Sequence, residues 1–183
     1  QNNVQGACDM GALPNVFPGY QRVDNPQARE KFMKAWNVPS LPEKPGMMMP
    51  TMMEGLTTGK VKALYIFGEN LANTEPDIHH VEHCLQSAEF LVCQDIFPTE
   101  TTRFAHIILP AAAWSENDGT FTSSERRVNR VRTASAAPGE AKPNWWIFKE
   151  LAKRMGHEWT SASAREIWDN ELSVLAPSMA GIK

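Results

Sequence analysis

From Lys60 onward the apolar residues gather into short blocks separated by polar turns. Val61, Ala63, Leu64, Tyr65, Ile66 and Phe67 form a nearly continuous apolar run that stops at Gly68-Glu69-Asn70. Such a run predicts a strand buried on both faces, as in a parallel sheet. A second strand is expected over Phe90–Cys93, ending at Gln94-Asp95, and a third over His106–Leu109, stopping at Pro110. Between them the pattern predicts a helix over Glu75–Ser87, with Thr74 as N-cap and Pro76 in the first turn, and a short helix over Thr99–Phe104. Strand–helix–strand–helix–strand at this spacing predicts βαβ units: an α/β fold with a Rossmann-like, doubly wound parallel sheet and flanking helices.

The flanks read differently. Seven prolines between Pro14 and Pro50 break up the first sixty residues, since proline blocks long helices and central strands. One short helix fits from Asn25 to Trp36, with Asn25 as cap and Ala28, Phe32, Ala35 and Trp36 on one face. Met47, Met48, Met49, Met52 and Met53 read as flexible packing filler in preference to a soft-metal cluster. Beyond Pro110 come a loop over Ala111–Gly119 and a segment, Thr120–Val131, that carries Arg126, Arg127 and Arg130. A linker over Ala134–Pro143 leads to an amphipathic helix, Asn144–Met155, closed by Gly156. Trp145, Ile147, Phe148, Leu151, Ala152 and Met155 mark its apolar face. A last helix is expected near Ala164–Leu175. The chain thus divides into an irregular lead-in (1–59), a sheet-bearing core (60–133) and a linker with C-terminal helices (134–183).

Composition narrows the class. At 183 residues, 42% hydrophobic and 21% charged, the chain is ordinary globular material and no disordered, collagenous or coiled-coil sequence. Its apolar runs are too short to span a bilayer. A net charge of −3 gives no bulk attraction to nucleic acid or to a membrane. Cys8, Cys84 and Cys93 lack C-x-x-C spacing, which argues against a disulfide framework and against a complete zinc or iron–sulfur site within this chain. Cys93 reads as a core-facing strand residue, and Cys8, in a polar Gly-flanked stretch, as the cysteine to test for a metal or redox role. The sequence opens on Gln1, not Met, so a processed product or an excised piece is expected.

Candidate chemistry lies at the strand ends, because open parallel sheets bind ligands outside their carboxyl edges. Gly68 permits close backbone approach there, and the Asn70 amide can donate and accept. The Asp95 carboxylate can accept from the N–H and NH2 edge of guanine or from ribose hydroxyls. Thr99 offers a hydroxyl and nearby backbone N–H groups to a phosphate. The bland reading of the same residues is turn and helix capping, and both can hold together. No G-x-G-x-x-G follows a strand and no P-loop is present. His79 and His83, with Glu82 nearby, share a helix face but lack a third ligand, so a solvated face is the expectation. Arg126, Arg127 and Arg130 read as an ion-paired or solvated face before a phosphate or partner contact.

Taken together, the motifs resemble a known family. Gln1-Asn2-Asn3-Val4-Gln5-Gly6-Ala7-Cys8-Asp9-Met10-Gly11, Leu13-Pro14 and Pro18-Gly19-Tyr20 are similar to a stretch of formate dehydrogenase catalytic subunits. The likeness continues through Gly68-Glu69-Asn70, Gln94 to Thr101, Ile107-Ile108-Leu109-Pro110, Glu116 to Phe121, Glu125-Arg126-Arg127 and Pro138 to Lys142. Those subunits are molybdopterin oxidoreductases, in which two molybdopterin guanine dinucleotides hold molybdenum or tungsten. They are several times longer than this chain. The resemblance therefore implies an excised C-terminal part of the cofactor-binding core, with the metal ligand, the catalytic His–Arg pair and an iron–sulfur cluster bound outside this segment.

Carried over position by position, the resemblance puts cofactor contacts on Gln1, Gly68, Glu69, Asn70, Gln94, Asp95, Thr99, Asn117 and Asn144, with no catalytic and no metal-ligating residue in this chain. Asp95 would meet the guanine edge. Asn117 stands where some relatives have Lys, Asn144 where Asp is common, and His106 replaces an Asp usual before the third strand. The implied parent oxidises formate to carbon dioxide, and the isolated segment is expected to be inactive. Its implied partners are the rest of the catalytic subunit, electron-transfer subunits and the small molecule formate, without nucleic acid or membrane contact, in a cytoplasmic setting. Two other readings remain at this level: a pterin-free structural module like one in respiratory NADH dehydrogenases, and a stand-alone Rossmann-like nucleotide binder.

Overall fold

The computed structural model describes residues 3–182. In chain order its elements are α1 (Val4–Asp9), β1 (Val16–Phe17), β2 (Gln21–Arg22), α2 (Pro26–Trp36), α3 (Met49–Thr57), β3 (Ala63–Phe67), α4 (Leu71–Thr74), α5 (Ile78–Gln86) and β4 (Phe90–Asp95). A 3-10 turn (Thr101–Phe104) precedes β5 (Ile107–Pro110), and another (Trp114–Glu116) precedes β6 (Gly119–Thr122) and β7 (Val128–Val131). Then come α6 (Asn144–Arg154) and α7 (Ala164–Ile167), which passes through a π turn (Trp168–Leu172) into α8 (Ser173–Leu175). These elements form two compact units that interleave along the chain: residues 1–47, 118–132 and 159–183 in one, 48–117 and 133–158 in the other. Among the described residues no helix is long and apolar enough to cross a membrane.

The second unit is built on the parallel sheet β3-β4-β5, with Ala63 opposite Phe90 and Val92 opposite Ile107. The α/β, Rossmann-like expectation is met. Strand order follows chain order without reversal, so the described sheet is not doubly wound. The next extended pair, β6 and β7, forms a separate antiparallel hairpin that the hydrophobic pattern does not predict. Burial on both faces holds for the central strand β4, where Leu91 to Gln94 are all buried. It fails for the rims: in β3 Ile66 alone is buried, and no β5 residue is. Alternation explains the layers. Ile66, Leu91 and Cys93 face one side and pack with Met53 and Leu56 of α3 and Val81, Cys84 and Leu85 of α5. Tyr65 and Phe67 face the other, where Phe148 of α6 meets their rings at 5.7 and 5.3 Å.

Local chemistry sets the helix ends. The helix expected over Glu75–Ser87 starts only at Ile78, as α5, and a separate short helix, α4, ends at Thr74. Pro76 disfavours helical backbone in the residue before it, and Glu75 is extended (φ −81°, ψ 147°). Asp77, not Thr74, then caps α5, its carboxylate accepting the His80 N–H at 3.1 Å. The α2 expectation is met, with the Asn25 side chain accepting from the Gln27 and Ala28 N–H groups and left-handed Asn37 ending the helix, although Ala35 is exposed. The methionine run forms α3, which was not anticipated, and buries Met53. On α6 only Ile147 is buried, and Met155 at the end of its expected apolar face is 77% exposed. The segment read as a linker is pinned, since the Ala112 N–H donates to the Lys142 carbonyl at 2.8 Å.

In the first unit, Phe17, Val23, Ala28 and Phe32 form the core. Phe32 lies between Phe17 and Trp36, with ring centroids at 4.7 and 4.9 Å. The helix α1, also unanticipated, rests on the β6–β7 hairpin.

Candidate functional site

The carboxyl ends of β3 and β4 bring together most of the residues expected to bind a ligand. Gly68 leaves β3 in the left-handed region (φ +62°), where a side chain is strained, and the space over its α-carbon is open. Its N–H donates to the Gln94 carbonyl at 2.9 Å, which fixes the turn to the neighbouring strand. Glu69 accepts from the Thr74 hydroxyl (2.8 Å) and shares that turn.

Asn70 then stitches the turn to the crossover that follows β4. Its Oδ1 accepts from the Thr101 N–H (3.2 Å) and the Thr101 hydroxyl (2.8 Å), and its Nδ2 donates to Glu100 at 2.7 Å. That hydrogen bond holds the Glu100 carboxyl below the usual carboxylate range, with a smaller pull from Arg103. Thr101 is fully buried and also accepts the Ala72 N–H at 3.0 Å. Glu100 and Thr101 were not singled out from the sequence as site residues, although they lie inside the Gln94–Thr101 motif.

Gln94 is fully buried and commits both ends of its amide. Tyr65 donates its hydroxyl to Gln94 Oε1, and Gln94 Nε2 donates to Asn144 Oδ1 at 2.8 Å. This chain of contacts ties the first residue of α6 to the middle of the sheet. Burial pushes the Tyr65 phenol up. Asp95, half-buried at the end of β4, accepts the N–H of Ile96 at 2.7 Å, while Ile96 and Phe97 beyond it are exposed. Cys93, two residues before Asp95, has its thiol pushed up to about 11 by burial and then by the Asp95 charge, so it is no nucleophile.

Thr99 is the open valence of this region. Its N–H donates to the Thr102 hydroxyl at 3.0 Å and its carbonyl accepts from that hydroxyl at 2.7 Å, but its own Oγ1 is buried with no hydrogen-bond partner. A buried hydroxyl left unpaired costs about 1–3 kcal/mol, which a ligand acceptor or donor would recover. Buried Thr99 Oγ1, the open approach over Gly68 and the carboxylate of Asp95 suit a polar ligand that carries hydrogen-bond donors and acceptors.

Asn117 stands apart from this cluster. Asn117 donates to the Ala113 carbonyl at 2.7 Å and ends the second 3-10 turn, with no hydrogen bond to the cluster. Gln1 lies outside the described residues. His106 now has a role: its Nδ1 accepts the Leu91 N–H at 3.0 Å and its own N–H donates to the Leu91 carbonyl, locking the start of β5 to β4. Among the described residues no three His, Cys, Asp or Glu side chains are grouped to hold a metal ion. The three cysteines are unpaired with one another. Cys84 is buried, its thiol pushed up first by that burial, and it meets His80 Nε2, not His79 or His83.

Comparison with known proteins matches the chain to a family. The model of the molybdopterin oxidoreductases, "Molybdopterin oxidoreductase", covers residues 1–154. The chain is 49% identical to F420-dependent formate dehydrogenase 2 subunit alpha of Methanococcus maripaludis over the whole of its length, which is 27% of that protein. It is 42% identical to formate dehydrogenase H of Escherichia coli over 99% of its length and 25% of that protein. The chain thus spans about a quarter of the relatives it matches. Acetylene hydratase from Pelobacter acetylenicus superposes with a TM-score of 0.59 at 22% identity, covering 85% of this chain and 22% of that one, and so shares the fold. With its parallel sheet, its polar carboxyl edge and the family match over residues 1–154, the chain belongs to the molybdopterin oxidoreductase family.

Proposed function

We propose that this chain is the cofactor-binding segment of a molybdenum or tungsten formate dehydrogenase and holds a molybdopterin guanine dinucleotide at the carboxyl edge of β3 and β4. The observation that carries the reading is Thr99 Oγ1, buried and unpaired at that edge. The Gly68–Asn70 turn and Thr99 receive the phosphate-bearing part, and Asp95 accepts from the guanine edge. Gln94 and Asn144, bonded to each other, fix the start of α6 as the wall beside it. Glu69 shapes the turn, and Asn117 and Gln1 are the remaining contacts. Names of the relatives support the substrate, since both are formate dehydrogenases. When bound, the pterin-held metal supplies the redox centre at which formate yields carbon dioxide, a proton and two electrons. This chain's residues bind and orient that group. We assign the iron–sulfur cluster to another part of the parent, and the electrons to further subunits. Three thiols unpaired with one another accord with a reducing, cytoplasmic setting.

The test is metal and pterin analysis of the full-length protein together with formate-dependent dye reduction. The expected result is molybdenum or tungsten with pterin guanine dinucleotide, activity in the full-length protein and none in the isolated segment. Asp95→Ala should weaken guanine nucleotide binding about tenfold, the loss of a charge-assisted contact. A full-length protein without metal and pterin overturns the reading in favour of a structural module.

A further inference from the structure

Tyr65, Gln94 and Asn144 form one hydrogen-bonded chain of side chains, all within the second unit. Tyr65 stands opposite Val92 in the β3–β4 register, so Gln94, two residues further along β4, shares its face of the sheet. On that face Phe148 of α6 meets the Tyr65 ring at 5.7 Å. Gln94 is fully buried, so bulk water does not reach its amide. The amide has to find its partners in Tyr65 and Asn144.

An amide can be set either way round, and here the phenol decides. Burial pushes the Tyr65 phenol up, so at neutral pH its hydroxyl has a proton to give. Gln94 Oε1 accepts it. With the amide reversed, Nε2 would stand against the phenol oxygen, and the phenol proton would have no acceptor among the described residues. Leaving such a donor unpaired is costly. Gln94 Nε2 is thereby turned to Asn144 and donates to its Oδ1 at 2.8 Å. Asn144 Oδ1 is engaged in turn, and Asn144 Nδ2, which carries two N–H groups, has no acceptor among the described residues. A phenol proton at one end of the chain thus leaves amide donors at the other.

The backbone at the same place agrees. Asn144 opens α6 behind Pro143, which supplies no side-chain cap, so the first N–H groups of the helix add further donors. Gln94 sits one residue before the end of β4, and its carbonyl accepts the Gly68 N–H at 2.9 Å. Asn144, bonded to Gln94, therefore belongs to the carboxyl edge of β3 and β4.

We propose that Asn144 donates an N–H to an oxygen of the bound nucleotide, and that Tyr65 is the positioning residue that sets this polarity through Gln94. The inference rests on the proposed function and names the chemistry of one of its contacts. The ligand atom at Asn144 is an acceptor, a phosphate or a nucleoside oxygen, while Asp95 takes the ligand's donors.

The experiment uses the full-length protein prepared without cofactor, with calorimetry on GDP and on guanosine. Asn144→Asp keeps an acceptor for Gln94 Nε2 and removes the donors, and Asn144→Ala removes the donors without adding charge. Both should weaken GDP binding about tenfold, the size of one hydrogen bond. Tyr65→Phe keeps the ring against Phe148 and removes the proton that orients Gln94, and it should weaken GDP about threefold. On the Asn144→Ala background Tyr65→Phe should weaken GDP no further, because no donor is left to orient. A merely structural role for Tyr65 predicts the same loss on both backgrounds, and that result overturns its positioning role. Equal losses for guanosine and GDP put the accepted oxygen on the nucleoside, and a loss for GDP alone puts it on a phosphate; either supports the assignment. GDP binding kept at the wild-type level by Asn144→Asp or Asn144→Ala overturns the donor role. Should the cofactor-free protein fail to accumulate, retention of pterin guanine dinucleotide by the loaded protein on prolonged dialysis is held to the same outcomes. A wild-type protein that takes neither GDP nor the pterin dinucleotide sinks the functional reading and this inference together, whereas wild-type binding that the Asn144 variants keep sinks the inference alone.

Discussion

At the level of single residues, the site is held by side chains that satisfy one another's backbone. Asn70 bridges two loops through Thr101 and Glu100, so its amide acts as both cap and clamp. The Glu100 carboxyl is held below its ordinary range by the hydrogen bond from Asn70. A carboxyl lowered in the folded state stabilises above its ordinary pKa, and the contribution disappears as pH falls through the folded value. The melting temperature of Glu100→Gln should therefore lie below that of the parent chain at pH 7, and the gap should close as pH is taken down through the carboxylate range. A gap that persists at acid pH would show that the clamp does not depend on the Glu100 charge. The effect is small, because the pair is exposed to solvent. At this scale the sequence was informative about which residues matter. Asn70, Asp95 and Thr99 could be chosen from residue type at a strand end. It was silent about Glu100 and Thr101, because their importance lies in what they touch, and contact between turns some thirty residues apart is not written in local pattern.

Among the elements, β4 carries the second unit. It pairs on both edges, and Leu91 near its start is fully buried. Leu91→Ala should destabilise the chain by about 2–5 kcal/mol, the range for a leucine truncated inside a packed core. Ile108→Ala on the rim strand β5, where the side chain is 48% exposed, should cost about 1 kcal/mol or less, since half of its apolar surface is already wet. Urea denaturation of both variants checks the contrast, and equal losses would mean that β5 is as deeply packed as β4. The apolar run of the first strand predicts burial on both faces, yet in β3 Ile66 alone is buried. Hydrophobic run length tells strand from loop, but not centre from rim, because that depends on neighbours supplied by other parts of the chain. Helix boundaries were read better where a cap and a proline agreed, as at Asn25-Pro26, than at Thr74–Asp77, where two cap residues flank one proline. The bar that Pro76 sets on helical backbone in Glu75 decided that case.

For the whole molecule, two interleaved units each enclose their own core. Their thiols report on that enclosure. Cys84 and Cys93 are buried with thiols pushed up, Cys93 to about 11, while Cys8 is partly exposed. Under native conditions at pH 8 one thiol should react with an aromatic disulfide reagent within minutes, and three should react after unfolding. Fast reaction of all three in the native chain would contradict the enclosure of the second unit's core. The hairpin and α1 belong to this scale as well. The arginines of 126–130 read from sequence as a charged face. In the fold Arg126 reaches a carboxylate more than a hundred residues earlier.

The sequence by itself determined the α/β class, the three parallel strands, the capped α2 and the family, because these rest on periodicity, capping chemistry and ordered motifs that are local or linear. Tertiary structure alone decided which strand is central, that Gln94 and Asn144 bond each other, that Thr99 keeps a buried hydroxyl unpaired, and that Asp9 is buried against Arg126. Each of these is a relation between distant segments. Burial and hydrogen-bond satisfaction are properties of the packed chain, and residue spacing along the sequence does not carry them.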